Sequence, residues 1–374
     1  MNPNRPLRIV HLVGARPNFM KAAPVLEALG RMPQISTMLV HSGQHYDVEM
    51  STRFFEELGL PQPDVDLGIG SASHAVQVAQ VMMALEPLLQ REQPDLLIVV
   101  GDVNSTLAGA LTAAKLNIPV AHVEAGLRSG DRTMPEEINR LLTDQISDLL
   151  FTPSRDGDRN LGREGIPADR IHFVGNVMID TLLRNLPRAR SSSARERYGV
   201  NGGRYAVVTL HRPSNVDEPD QLAEIYSALD TLARELPVLF PVHPRTSKNA
   251  ESFGLRLEHA RVLPPLGYLE LVGLMSEAAL VLTDSGGVQE ETTALGVPCL
   301  TLRQNTERPI TIEEGTNTLV PVRSRAAILA AAQQAGSKRG RIPELWDGRA
   351  GERIAAAIVQ WAAGDRPLLA EKLA

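Results

Sequence analysis

The chain has 374 residues, of which 43% are hydrophobic and 22% charged, with a formal net charge of −6. This length predicts two domains with an ample core. An acidic balance with 4% aromatic residues argues against a nucleic-acid-binding protein.

The sequence shows no sign of a membrane span or of a signal peptide. No apolar run reaches the roughly 18 residues of a membrane span, and the chain begins directly with an apolar strand, without a signal-peptide core. A single cysteine, Cys299, excludes an intrachain disulfide and fits a cytoplasmic protein.

Apolar runs alternate with amphipathic stretches in the first half, as is typical of a doubly wound parallel α/β sheet. Arg16 and Lys21 follow the first strand at a turn into a helix, where backbone N–H groups and the helix dipole favour anions. They are either solvated surface cations or a phosphate-binding pair.

The apolar runs of the first half define its predicted elements. We predict strands at residues 7–13, 35–40, 96–100, 119–123, 149–152 and 171–174, and a long helix at 73–93.

The stretch from residue 99 to residue 140 carries the strongest chemical signal. Asp102 and Glu124 each follow a predicted strand, whereas Glu136 and Arg140 lie in the first turns of a helix. Because the carboxyl ends of parallel strands meet at one edge of a sheet, these carboxylates should converge there. One such acid is usually a helix cap, but three in one unit favour catalysis.

A composition shift separates the two halves. Residues 185–204 are polar, basic and rich in Ser and Gly, which predicts a hinge region with a surface loop. The alternating pattern then restarts. We predict strands at residues 205–210, 238–242, 279–283 and 298–302, a polar loop at 303–308, and helices at 324–336 and 351–363.

The second half contains a candidate nucleotide site at Asp284-Ser285-Gly286-Gly287. Two glycines let a diphosphate approach the backbone, and the helix that follows supplies N–H groups and a positive dipole end. Glu291, one turn into this helix, can accept hydrogen bonds from ribose hydroxyls. The alternative is that the turn simply needs glycine.

Several reaction classes lack their motifs. There is no Walker A lysine motif and no full G-x-G-x-x-G after a strand, so ATP hydrolysis and NAD binding are disfavoured. His122 and Glu124 share one side of a strand, but the paired cysteines of a zinc deaminase are missing. What remains is a cleft between two domains, with carboxylates on one face and His211, the glycine turn and Arg308 on the other.

Nine segments, found in this order, carry a resemblance to a known family. They are GARPNFMKAAP, SGQHYD, GDVNSTLAGA, HVEAGLRSGDRTMPEEINR, GNVMIDTL, TLHRPSN, PVHPR, DSGGVQEE and TERPI. The chain resembles the non-hydrolysing UDP-N-acetylglucosamine 2-epimerases over essentially its whole length. The resemblance implies a glycosyltransferase-B-type architecture. Two Rossmann-like domains, at residues 1–174 and 175–357, would face a cleft, and a C-terminal helix within 358–374 would pack back on the first.

The same resemblance implies the reaction. UDP-N-acetylglucosamine would be converted reversibly to UDP-N-acetylmannosamine by elimination and re-addition of UDP through a 2-acetamidoglucal. Neither a nicotinamide nor a metal would take part, and the enzyme would be a homodimer with no nucleic-acid or membrane partner.

Site residues carry over by position. The catalytic and diphosphate-binding matches are Arg16, Lys21, Asp102, Glu124, Glu136, Arg140 and His211, and the UDP-binding matches are Leu266, Leu271, Ser285, Gly286, Gly287, Glu291 and Arg308. We expect Asp102 and Glu124 to handle the C2 proton on opposite faces. Glu136 would assist the leaving group or relay protons, and His211 and Arg16 would hold the phosphates.

Departures from the family pattern leave the exact sugar open. They are Pro213-Ser214, Tyr46-Asp47 after Gln44-His45, and Ile310. A UDP-2,3-diacetamido uronic acid is the alternative substrate, a B-type glycosyltransferase the alternative enzyme, and a nucleotide-sugar sensor the alternative without catalysis. Many relatives require a second, activating UDP-sugar, held in part by the positions of Gln44 to Asp47 and His243. Since Tyr46 and Asp47 replace an arginine and a Gln/Glu there, we expect turnover without an activator.

Overall fold

The computed structural model describes residues 5–43, 59 and 61–364. The chain forms two compact units. Unit 1 consists of Met1–Thr181 and Glu344–Ala374, and unit 2 of Leu182–Pro343. The sequence places these boundaries at 174/175 and 357/358, so the observed second unit begins and ends at different residues.

Unit 1 contains a parallel sheet whose described strands follow the order β3-β2-β1-β4-β5-β6-β7. The strands are β1 (Leu7–Val13), β2 (Ile35–His41), β3 (Val65–Asp66), β4 (Leu96–Val100), β5 (Val120–Val123), β6 (Leu149–Thr152) and β7 (Ile171–Phe173). The order reverses between β1 and β4, and the crevice at such a switch point is where α/β sheets bind ligands. The continuous apolar run of β4 is fully buried, as expected for a strand covered on both faces.

Helices cover both faces of this sheet. Those of unit 1 are α1 (Arg16–Gly30), α2 (His74–Glu92), α3 (Asn104–Lys115), α4 (Pro135–Ile146) and α5 (Arg155–Arg163), followed by a 3₁₀ turn (Ala168–Arg170) and α6 (Val177–Arg190), which continues into unit 2. Pro17 and Pro135 lie in the first turns of α1 and α4, where a missing N–H costs nothing.

Unit 2 repeats the pattern with the strand order β10-β9-β8-β11-β12-β13. Its strands are β8 (Ala206–Thr209), β9 (Val238–Pro241), β10 (Arg261–Leu263), β11 (Leu280–Thr283), β12 (Cys299–Thr301) and β13 (Asn317–Leu319). Its further helices are α7 (Ala194–Arg197), α8 (Pro213–Val216), α9 (Pro219–Leu232), α10 (Pro244–Ser252), α11 (Tyr268–Met275), α12 (Gly286–Leu295), α13 (Ile310–Glu313) and α14 (Arg325–Ala335). Here the switch point lies between β8 and β11. No helix in the described part of the chain is long and apolar enough to cross a membrane.

The predicted hinge at residues 185–204 is wrong over its first part, because α6 runs to Arg190. Leu182, Asn185 and Ala189 are buried at helical spacing, and this stripe outweighs the polar composition between them. The end of the helix packs so closely on α11 that a Cβ added at Gly273 would lie 2.4 Å from the Ala189 carbonyl oxygen.

The chain returns to unit 1 at Glu344 and ends its described part with α15 (Ala350–Gly364). The indole of Trp346 donates to the Pro153 carbonyl at 2.9 Å. Asp180 accepts the backbone N–H groups of Ala350 and Gly351 at 3.1 and 2.8 Å, which caps the start of α15. These contacts explain why the return begins before residue 358.

The cap is pH-sensitive. Burial raises the pKa of Asp180 to about 6, even though the N–H groups of Gly351 and Ala350 act in the opposite direction. Because the folded-state pKa of Asp180 lies above its ordinary value, the protonated side chain stabilises the folded protein. This contribution to the free energy of unfolding is complete below about pH 4 and is lost as the pH rises through 6. We expect Asp180→Asn, which cannot titrate, to lack this fall, on the order of 2–3 kcal/mol. Urea unfolding of both proteins from pH 4 to 7.5 measures it, and parallel pH curves would contradict the assignment.

Candidate active site

The turn after β4 holds a buried ion pair. Gly101 has φ +70°, and a Cβ added to it would lie 3.2 Å from Lys21 Nζ and 3.3 Å from Glu124 Oε2. Lys21 of α1 and Glu124, which follows β5, are bonded to each other directly over this glycine, and both are almost fully buried. A side chain at position 101 would strain the backbone, because φ is positive there, and it would also contact this ion pair.

Glu124 itself occupies the left-handed region, with φ +73°. For a non-glycine residue this costs on the order of 1 kcal/mol or more and clusters at functional sites. The β6 strand holds the strained turn, because the Phe151 carbonyl accepts the N–H groups of both Glu124 and Ala125 at 3.1 and 3.0 Å. The Glu124 carboxylate is bonded to Lys21 from this strained backbone.

Asp102 is oriented by Arg140 of α4. The guanidinium is 2% exposed and donates Nη1 to Asp102 at 2.5 Å. It also donates Nε and Nη2 to Glu137 at 3.0 and 2.7 Å. Burial alone would raise the pKa of Glu137, but the Ser129 N–H and Arg140 outweigh it and lower that pKa. Arg140 is therefore a buried bridge between two carboxylates. Its pairing with Glu137 was missed, although a spacing of three residues on a helix would have indicated it.

His122 fixes the backbone of the same turn. Its Nε2 lies 2.7 Å from the Gly101 carbonyl oxygen and its Nδ1 lies 2.6 Å from Asp144 Oδ1. Both partners are acceptors, so a doubly protonated ring satisfies both. Burial would raise the pKa of Asp144, but His122 and Arg128 lower it. With both nitrogens engaged, His122 has none left for a metal.

Two predicted residues join this group less directly. Glu136 is half-buried in the first turn of α4, and among the described residues its carboxylate takes part in no hydrogen bond or ion pair. Arg16 is the first residue of α1; its side chain lies outside the described parts. The structure thus brings together Lys21, Glu124 and the turn that carries Asp102.

In unit 2, His211 follows β8 and Asp284 follows β11, the two strands at the switch point. Asp284 follows β11, is fully buried, and lies 2.9 Å from His211 Nδ1. Burial would raise its pKa, yet His211, the Arg212 N–H and Asn215 lower it. The His211 side chain remains 46% exposed. Sequence reasoning missed Asp284 as a partner because the two residues are 73 positions apart.

The predicted polar loop at residues 303–308 forms neither helix nor strand, as expected, but its charged side chains are not on the surface. Arg303, Glu307 and Arg308 are all buried. Arg308 bonds to Glu307 and its Nε lies 3.0 Å from Glu290, while Arg303 lies 2.8 Å from Glu307. Burial would raise the pKa of Glu307, but the two arginines hold it far below its usual range. The charges are buried because they neutralise one another, so Arg308 is already paired before any phosphate arrives.

The start of α12 lies against this cluster. A Cβ at Gly286 would lie 2.6 Å from Arg308 Nη1 and 3.0 Å from Glu307 Oε1, so close packing alone requires glycine there. Ser285 is the N-cap residue, and its side chain makes no capping bond. Ser285, Gly286 and Gly287 are half-buried, so the first N–H groups of α12 stand at the edge of unit 2.

Glu291 lies one turn further into α12 and accepts the Tyr268 hydroxyl at 2.9 Å. Burial, with the neighbouring Glu290, raises the pKa of Glu291 to about 7. Leu266 and Leu271 flank Tyr268 along the chain and are both half-buried. The Tyr268 hydroxyl therefore links the segment that contains Leu266 and Leu271 to Glu291 of α12.

Two remaining predictions concern an activator site and metals. Gln44, His45, Tyr46 and Asp47 lie outside the described residues. His243 caps α10, and its ring centroid is 6.4 Å from that of His211. Within the described chain, one group has metal-ligand spacing: Asp230, Glu258 and His259 of unit 2, and none of the three is a predicted site residue.

Comparison with known proteins identifies the family. A family model described as UDP-N-acetylglucosamine 2-epimerase matches residues 27–359. The chain belongs to this family of isomerases. The UDP-N-acetylglucosamine 2-epimerase of Methanocaldococcus jannaschii is 42% identical over 358 residues, covering 93% of this chain and 98% of the relative. The UDP-2,3-diacetamido-2,3-dideoxy-D-glucuronate 2-epimerase of Pseudomonas aeruginosa is also 42% identical over 358 residues, covering 95% and 100%.

A solved structure extends the comparison to the fold. The crystal structure of the M. jannaschii enzyme in complex with UDP-GlcNAc and UDP has a TM-score of 0.86 at 41% identity, covering 94% of this chain and 99% of that one. The predicted family and the predicted class of two Rossmann-like α/β domains are therefore confirmed.

The packing at Gly286 can be tested directly. We expect Gly286→Ala to lower the free energy of unfolding by about 1–3 kcal/mol, because the new methyl group meets a guanidinium that two carboxylates hold in place. Gly336→Ala is the matched control: it lies in unit 2, has φ −71° and has no atom within 4 Å of the added Cβ. Urea unfolding compares the three proteins, and equal stability of both variants would contradict the close approach.

Proposed function

We propose that the protein interconverts UDP-N-acetylglucosamine and UDP-N-acetylmannosamine by inverting C2 of the sugar. The observation that carries the proposal is the turn at Gly101, which is followed by Asp102 and lies against Glu124, each carboxylate being bonded to a buried cation. Two oriented carboxylates beside a nucleotide-sugar site suit proton removal and proton return at one carbon.

The reaction divides into two steps whose atoms balance. In the first, a carboxylate takes the C2 proton, the electron pair forms the C1–C2 double bond, and the C1–O bond breaks to release UDP and a 2-acetamidoglucal. In the second, a proton is delivered to the opposite face of C2, and a UDP phosphate oxygen forms the bond to C1. The sequence of steps involves no net oxidation.

In this proposal Asp102 and Glu124 face C2 from opposite sides. Arg140 and Lys21 act through the carboxylates that they hold, since charge-assisted bonds fix both the orientation and the charge of an acid. Glu136, with no partner of its own among the described residues, is available to relay protons or assist the leaving group. Arg16 would meet the diphosphate.

Unit 2 would bind UDP. The diphosphate would meet the N-terminus of α12 at Ser285, Gly286 and Gly287, whose N–H groups and dipole favour anions, together with His211. Arg308 would support the turn from behind, because Glu290 and Glu307 already neutralise it. Glu291 would accept hydrogen bonds from ribose hydroxyls, and Leu266 and Leu271 would contact the nucleoside.

A second substrate has one specific observation in its favour. The P. aeruginosa relative named as a UDP-2,3-diacetamido-2,3-dideoxy-D-glucuronate 2-epimerase is as similar to this chain as the M. jannaschii relative is. This 2,3-diacetamido uronate carries a carboxylate at C6 and a second acetamido group at C3, both absent from UDP-N-acetylglucosamine. It would undergo the same chemistry at C2.

Exchange of the C2 hydrogen tests the reaction. We expect UDP-N-acetylglucosamine incubated in heavy water to give the mannose-configured product, with deuterium at C2 of both sugars, because the proton is removed by a carboxylate that exchanges with solvent. The protein is first dialysed against a chelator and freed of NAD, and proton NMR follows the reaction.

The same assay with the 2,3-diacetamido uronate separates the two substrates. Exchange of the uronate alone would transfer the proposal to that sugar. Retention of the C2 proton through many turnovers of either sugar would refute the elimination chemistry.

Carboxamide variants test the roles. We expect Asp102→Asn, Glu124→Gln and Glu136→Gln each to lower kcat by about 10²–10⁴, the range for a lost general acid or base, with smaller changes in UDP binding. Glu86→Gln, an exposed carboxylate of unit 1 on α2, is the control and should keep wild-type kcat. Steady-state rates and calorimetry with UDP give both quantities, and wild-type turnover in all three variants would show the assignment to be wrong.

A further inference from the structure

Apart from His211 Nδ1, whose role depends on the tautomer, every group that the described residues place against the Asp284 carboxylate is a hydrogen-bond donor. Its Oδ2 accepts the backbone N–H groups of His211 and Arg212 at 3.1 and 2.9 Å and the amide of Asn215 at 3.0 Å. Its Oδ1 lies 3.2 Å from the same His211 N–H and 2.9 Å from His211 Nδ1. Asp284 is fully buried, so no water competes for these bonds.

The donors on the Oδ2 side cannot change their roles. Backbone N–H groups only donate. The Asn215 amide is fixed in orientation, because its Nδ2 also donates to the Leu302 carbonyl at 2.9 Å and its Oδ1 accepts from Arg323 at 2.8 Å. The Oδ2 position must therefore be occupied by an acceptor.

We propose that Asp284 is a positioning residue that holds His211 in the tautomer with a proton on Nδ1, so that Nε2 is the nitrogen available to the substrate. The proposal rests on the proposed function, in which His211 meets the diphosphate. With a second proton, Nε2 donates a hydrogen bond to the phosphate oxygen as the C1–O bond breaks, and the Asp284 carboxylate balances the ring charge. Asp284 itself forms and breaks no covalent bond.

A purely structural role for Asp284 makes a different prediction. The carboxylate also pins the turn between β8 and α8 through the His211 and Arg212 N–H groups. If pinning the turn were its whole role, a substitution that keeps an acceptor at the Oδ2 position would be harmless. Asp284→Asn is such a substitution.

The amide in Asp284→Asn can sit in only one orientation. Its oxygen must take the Oδ2 position, where all neighbours are donors, and its NH₂ group must take the Oδ1 position beside His211 Nδ1. That nitrogen must then accept, so the proton moves to Nε2. The variant therefore keeps the turn and inverts the tautomer, an effect known to remove most activity when a histidine depends on an aspartate.

The chain contains a matched control on the same unit. Asp230 accepts the backbone N–H groups of Glu258, His259 and Ala260 and lies 3.0 Å from His259 Nδ1. This is the same arrangement of an aspartate, a turn and a histidine. Asp230→Asn should change the His259 ring alone.

The experiment uses the full-length protein labelled with ¹⁵N at histidine, with the His211 signals assigned through a His211→Gln variant. Long-range ¹H–¹⁵N spectra at pH 8.5 report which ring nitrogen carries the proton. We expect Nδ1–H at His211 in the wild type and Nε2–H in Asp284→Asn. We also expect kcat to fall about 10²–10⁴-fold in that variant, with the Kd for UDP changed less than about threefold.

Asp230→Asn should leave both the His211 spectrum and kcat unchanged. An Nε2–H ring at His211 in the wild type would overturn the proposal whether or not any variant folds. An Asp284→Asn variant with an inverted ring and wild-type kcat would overturn it as well. If the wild type exchanged C2 of no UDP-sugar, the proposed function would fail, while the spectra would still decide the tautomer.

Discussion

The ion pair between Lys21 and Glu124 is the contact on which the candidate site of unit 1 depends. It lies over Gly101, where an added Cβ would contact both partners, and Glu124 itself has a positive φ. Removing one partner would leave the other charged and buried, at a cost of about 3–5 kcal/mol. The pair therefore keeps a strained carboxylate in place at the switch point of the sheet.

The same constraint governs the other charges at the strand ends. Arg140 is shared by Asp102 and Glu137, and Arg308 is shared by Glu290 and Glu307. Both arginines are predicted to bind substrate, and the structure shows that each is already paired with two carboxylates. In the proposed function, a diphosphate would then rely more on helix N-terminal N–H groups than on these paired cations.

Both units place a histidine beside an aspartate near the switch point, but the two histidines have different roles. In unit 1, His122 is completely buried and ties the Gly101 carbonyl to Asp144. In unit 2, His211 has one edge exposed and only Nδ1 tied to Asp284. Burial thus separates a residue that holds the backbone from one that can meet a ligand.

The sequence by itself determined the elements and the family. The strands at residues 7–13, 96–100 and 149–152 have the predicted bounds, because a buried parallel strand is a continuous apolar run that needs no knowledge of its neighbours. The motifs likewise identify a UDP-sugar epimerase, since they are local. The helix at Val177–Arg190 was missed because its buried stripe is sparse among arginines.

Only the tertiary structure decided which charges are paired. Asp284 and His211 are 73 residues apart, Asp102 and Arg140 are 38 apart, and Asp144 and His122 are 22 apart. The strand order brings these residues together, and a sequence shows each as an independent polar residue. Whether an arginine binds a phosphate or a buried carboxylate depends on the cost of removing both charges from water, and that cost is set by the packing of the whole unit around them.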